Sequence, residues 1–71
     1  MNKRKQIKYI HEGHYVAEVD VELIDAEDGW SPYLTLDEAL KLDDIREALS
    51  RGDLKAASQS ARIYTMTPVA V

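Results

Sequence analysis

Tyr15-Val16-Ala17-Glu18-Val19-Asp20-Val21-Glu22-Leu23 is the stretch on which the reading of this chain turns. Tyr15, Ala17, Val19, Val21 and Leu23 fall on one parity, and Glu18, Asp20 and Glu22 fall on the other. Period two is the signature of a strand with one face toward a core and the other toward water. Upstream, Ile7 and Tyr9 share a parity against Gln6 and Lys8, which predicts a second strand.

Residues opposite each other in an antiparallel pair lie on the same face, so the connecting turn can be argued from pairing. A two-residue turn at Glu12-Gly13 would set Lys8 opposite Ala17, on the core side. A three-residue loop, His11-Glu12-Gly13, sets Tyr9 opposite Tyr15 and Ile7 opposite Ala17, with Gly13 at a left-handed position. That register is the one predicted. On the outer face it brings Gln6 near Glu18 and Arg4 near Asp20, so a basic arm lies beside an acidic strand.

Downstream, Ala26-Glu27-Asp28-Gly29 is turn chemistry. Trp30 to Leu34 follow as a short third strand, which Pro32 restricts to an edge or cuts short. Thr35-Leu36-Asp37-Glu38 reads as a capping box that opens a helix. Leu36, Ala39 and Leu40 lie on one side of that helix, and Leu42, Ile45, Ala48 and Leu49 are rotated toward the other. Either the helix kinks near Leu42-Asp43, or its first half packs on the sheet and its second half meets a partner or another helix. Arg51-Gly52 gives a stop, and Asp53 caps a second short helix through Leu54, Ala56, Ala57 and Ala61. Arg62 to Thr67 returns to β-formers, ended by Pro68. Residues 68–71 form a loose tail or an extended edge segment.

The expected fold is α+β: a mostly antiparallel sheet of three to four strands, in the order β-β-(β)-α-α-β, with the helices on one face. The 71 residues make a single domain, with residues 1–5 as a basic N-terminal arm. No cysteine, no long apolar run and a formal charge of −4 argue against a disulfide scaffold, a thiol enzyme and a membrane-spanning protein. Met1 to Lys5 is not followed by the apolar stretch of a signal peptide, so a cytoplasmic address is expected. A chain of this size has a small core, which favours association with another chain.

Few residues invite catalysis. His11-Glu12-Gly13-His14 has the wrong spacing for the helical H-E-x-x-H zinc motif and sits at a hairpin tip. Ser31, Ser50, Ser58 and Ser60 lie in no nucleophile elbow, and Gly13, Gly29 and Gly52 are too far apart to cradle phosphate. Asp37-Glu38 and Asp43-Asp44 fit helix N-terminal charges. Neither metal nor cofactor is expected, and the chain is read as noncatalytic.

Charge segregation says more. Lys3, Arg4, Lys5 and Lys8 make the start basic, while Glu18, Asp20, Glu22, Asp25, Glu27 and Asp28 follow one another with no cation among them. Beside them stands Trp30, a residue type enriched in binding hot spots. These seven residues form the expected partner-binding surface, one that steers a basic protein and repels nucleic acid. The alternative is a nucleic-acid-associated regulator working through the basic arm. A homodimer through Leu42, Ile45 and Leu49 would account for the two-faced helix.

Tyr15-Val16-Ala17-Glu18-Val19, a loop, then Thr35-Leu36-Asp37-Glu38-Ala39-Leu40 resembles HicB-like antitoxin domains, in which a Y-V-A-x-V strand precedes a helix opening T-x-E-E-A. The likeness spans Tyr15 to Leu49. The P-D-L-P-G-C-type loop of those domains is missing, as is a DNA-binding extension. Tyr9-Ile10-His11-Glu12-Gly13 and Gly29-Trp30-Ser31-Pro32-Tyr33-Leu34 also resemble segments of a set of short bacterial proteins of unknown function. The first resemblance implies an antitoxin-like or regulatory role with a toxin as the basic partner. The second implies a bacterial origin.

Overall fold

The computed structural model describes residues 3–25 and 32–70. Its elements are β1 (Lys3–Glu12), β2 (Tyr15–Ile24), β3 (Tyr33–Leu34), α1 (Leu36–Ser50), α2 (Leu54–Ser58) and β4 (Arg62–Thr65). This is the α+β arrangement and element order expected from sequence. β1 runs antiparallel along one edge of β2. The other edge of β2 is shared: β4 pairs with Tyr15–Glu18 and β3 with Leu23–Ile24.

The hairpin register corrects the sequence reading. Glu12 lies opposite Tyr15, Ile10 opposite Ala17, Lys8 opposite Val19 and Tyr9 opposite Glu18. The connection is therefore a two-residue turn, Gly13-His14. Gly13 has φ 61° and His14 a negative φ, the glycine-first pattern of a type II′ turn, whose twist matches that of the strands. The slip relative to the predicted pairing is an odd number of residues, so every side chain of β1 changes face. Ile10, 3% exposed, becomes the core residue. Ile7 and Tyr9 move to the outer face, 46% and 64% exposed. Lys8 does lie on the core side, yet remains exposed, because β1 is the sheet's edge and a lysine stem can carry its ammonium past the rim into water.

The β2 parity is as expected. Ala17, Val19, Val21 and Leu23 are buried, and the first three, with Ile10, pack in one cluster with Ile45, Ala48 and Leu49 of α1 and Ala57 of α2. α1 is one uninterrupted helix whose second half covers the sheet. This reverses the sequence-based choice: Leu36 and Leu40 of the first half stay 73% and 50% exposed. Ile45 and Leu49, expected at a dimer contact, belong to the chain's own core, with Leu42 half-buried against them.

Local chemistry explains the helix ends. Thr35 Oγ1 accepts the Glu38 amide at 3.2 Å, closing the N-terminus. At the other end Gly52 (φ 75°) sends its amide to Leu49 O at 3.0 Å, and the Asp53 amide reaches Ala48 O at 2.8 Å. This pair of bonds is a Schellman stop. Asp53 Oδ1 then caps α2 by accepting the Ala56 amide at 3.1 Å.

Candidate functional site

Between β3 and β4 the edge of β2 has no strand partner at Asp20 and Glu22. Helix α1 fills the gap with side chains. Glu38 Oε2 accepts the Glu22 amide at 2.8 Å, and Lys41 Nζ donates to the Asp20 carbonyl at 2.8 Å. Glu38 and Lys41 are also 3.3 Å apart, a helical i,i+3 ion pair. The second half of the expected capping box is thereby diverted: the Glu38 carboxylate serves β2 rather than reaching back to Thr35. The backbone groups of even-numbered β2 residues therefore face away from β1, and their side chains stand on the sheet face opposite the helices.

That helix-free face gathers charged and aromatic side chains from all three of β1, β2 and β4. Glu18, Asp20 and Glu22 of β2 project from it, flanked by Ile7 and Tyr9 of β1 and by Arg62 and Tyr64 of β4. Glu18 is the hub. Its Oε2 accepts the Tyr9 hydroxyl at 3.3 Å, while its Oε1 receives the Arg62 Nε–H. Arg62 also reaches Asp20 Oδ1 with a second nitrogen at 3.4 Å. The Glu18 charge facing Tyr9, reinforced by their hydrogen bond, raises the phenol pKa above its ordinary 10.0. The same carboxylate, with Asp20, raises that of Arg62.

Of the expected acidic surface, Glu18, Asp20 and Glu22 are brought together on one face. Asp25 lies just past the end of β2, with its Oδ1 2.9 Å from Arg4 Nε. Glu27, Asp28 and Trp30 lie outside the described residues. The basic arm does run beside the acidic strand, with different partners from those expected: Lys3 pairs with Glu22 at 3.9 Å and Arg4 with Asp25. The sequence reading missed Arg62, which lies 44 positions from Glu18. The signal was present, since a lone cation opening the last β-run is suited to an acidic neighbour, but which strand it would join depended on topology.

Glu18 is screened by these contacts, its side chain 20% exposed. Asp20 and Glu22 remain open at 67% and 50%. His11 Nε2 lies 3.1 Å from Gly13 O in the turn, and no group of three or more metal-ligating side chains converges among the described residues. No described helix is long and apolar enough to cross a membrane. Comparison with family models, curated proteins and solved structures finds no match to this chain.

Proposed function

We propose that the chain is a noncatalytic protein-binding module, antitoxin-like or regulatory in kind, whose working surface is the helix-free face of the sheet and whose partner is a basic protein. The observation that carries this reading is the composition of that face. The open carboxylates of Asp20 and Glu22 are interleaved with the exposed side chains of Ile7, Tyr9 and Tyr64. Aromatic and aliphatic area supplies affinity when a partner covers it. Carboxylates set among that area select cations and raise the association rate. The cations already present on this face, Arg62, Lys3 and Lys5, are themselves exposed, the first two at 52% and 70%. Exposed pairs of this kind are worth roughly 0–1 kcal/mol, so an incoming arginine can replace them at little cost.

A nucleic-acid role for the basic arm ranks below this, because the chain carries a formal charge of −4 and the open carboxylates of Asp20 and Glu22 beside the arm repel phosphate. Low-salt binding of duplex or hairpin RNA that is lost in Arg4→Glu would reverse the ranking. For the protein-binding role, the test is affinity capture from host extract with the unaltered chain, with Asp20→Lys/Glu22→Lys, with Tyr9→Ala, and with Leu36→Ala as a control on the helix. A small cationic protein that accompanies the unaltered chain and the control, and is lost from the other two, supports the reading. Capture indifferent to the charges on this face sinks it.

A further inference from the structure

β1 is the one long strand whose outer edge carries no neighbour among the described residues. β3 and β4 are two and four residues long, and the gap on β2 is filled by Glu38 and Lys41. Since odd-numbered β2 residues turn their backbone toward β1, the pairing of Ile10 with Ala17 and of Lys8 with Val19 assigns the inward ladder to even residues of β1. The amides and carbonyls of Lys3, Lys5, Ile7, Tyr9 and His11 therefore point outward. The strand has neither proline nor bulge to blunt this edge, and only Ile10 of its ten residues is buried.

We propose that this edge is covered by β1 of a second copy, antiparallel about a two-fold axis at Ile7, so that two sheets join into one. The choice of register rests on charge. A ladder using the outward groups pairs odd residues with odd. Centring it on Lys5 sets Lys5 against Lys5, moving it one step on sets Arg4 against Lys8, and placing it midway between Ile7 and Tyr9 sets Lys8 against Lys8. Centring on Ile7 pairs residues 3–11 throughout with no two cations directly opposite: Lys3 faces His11, Arg4 faces Ile10, Lys5 faces Tyr9, Gln6 faces Lys8, and Ile7 meets itself. A register centred on Tyr9 also avoids like charges but pairs only residues 6–12. Edge lysines, which ordinarily discourage strand addition, here select one alignment and penalise its neighbours. Lys5 opposite Tyr9 adds a cation over an aromatic ring, and the Ile7 pair buries a side chain that the single chain leaves 46% exposed. Because such an axis is perpendicular to the sheet, both helix-free faces look the same way and become one surface.

The chain has no cysteine, so cross-linking can read the register directly. Cα atoms of a hydrogen-bonded antiparallel pair lie about 5.5 Å apart, within disulfide reach. Two Lys5 positions would be about 14 Å apart, beyond it. Under mild oxidation Ile7→Cys should form a covalent dimer at least about tenfold faster than Lys5→Cys. A mixture of Lys5→Cys and Tyr9→Cys should give the heterodimer in preference to either homodimer. Sedimentation should show the unaltered chain dimeric and Ile7→Lys, which sets two cations face to face at the axis, monomeric and folded. A chain that sediments as a monomer at every concentration overturns the proposal. So does a dimer that survives Ile7→Lys and cross-links equally well at Lys5, which would place the second copy elsewhere, for example on the exposed Leu36 and Leu40. Partner capture is read separately through Asp20→Lys/Glu22→Lys, whose positions on β2 lie outside this seam.

Discussion

The backbone amide of Glu22 donates to the side chain of Glu38 at 2.8 Å, so a helical carboxylate occupies the place of a missing strand. Lys41, one turn on, does the same for the Asp20 carbonyl. An amide–carboxylate bond of this sort contributes on the order of 1.5 kcal/mol. Glu38→Ala should lower the urea midpoint accordingly and accelerate hydrogen exchange at the Glu22 amide by roughly tenfold. Glu38→Gln should recover part of the loss, since its amide oxygen still accepts. Unchanged protection of the Glu22 amide in Glu38→Ala would refute the role given to this contact.

The two halves of α1 should respond differently to truncation. Ile45, 3% exposed, fills the interior, whereas Leu40 is half exposed. Ile45→Ala should cost about 3 kcal/mol, a large share of the stability available to a domain of this size. Leu40→Ala should stay within about 0.5 kcal/mol of the unaltered chain. Denaturant titration of the two variants measures the difference, and equal losses would contradict the orientation of the helix.

The phenol of Tyr9 should titrate above the ordinary value of 10.0 because the Glu18 carboxylate faces it. A raised pKa means that the folded state favours the protonated phenol. Its contribution is therefore complete below pH 10 and is lost as pH rises through the folded pKa. The other tyrosines are removed by subtracting the ultraviolet titration of Tyr9→Phe. Glu18→Gln should move the Tyr9 midpoint down toward 10.0, and a midpoint unaffected by that change would exclude Glu18 as the cause.

How much of this could be read from sequence follows from the range of each interaction. The β2 parity, the Thr35 cap, the Gly52 stop and the Asp53 cap depend on neighbours within a few positions, and local spacing is enough to identify them. The register of β1 depends on a competition that spacing does not settle. Ile7 and Tyr9 present a better apolar parity than Ile10 alone, yet the glycine-first turn at Gly13-His14 and the burial of Ile10 prevail. The candidate surface failed to show itself for the same reason. Three of its carboxylates are visible in β2, but the register predicted from spacing sets Tyr9 and Ile7 on the core side, and Arg62 arrives only when β4 adds to β2.

Gly13 offers a test of that turn by chirality. Its φ of 61° is the reason for glycine there, since a Cβ built on it meets nothing within 4 Å. Space is therefore not the constraint, and only backbone handedness is. Gly13→Ala should destabilise the hairpin by about 1 kcal/mol, because an L-residue is strained at positive φ. The D-alanine analogue, accessible by chemical synthesis at this length, should match or exceed glycine, because it favours the required region and restricts the unfolded chain. Thermal unfolding of the pair gives the comparison. If L- and D-alanine at position 13 melted alike, the glycine-first turn, and with it the register that places Tyr9 opposite Glu18, would have to be abandoned.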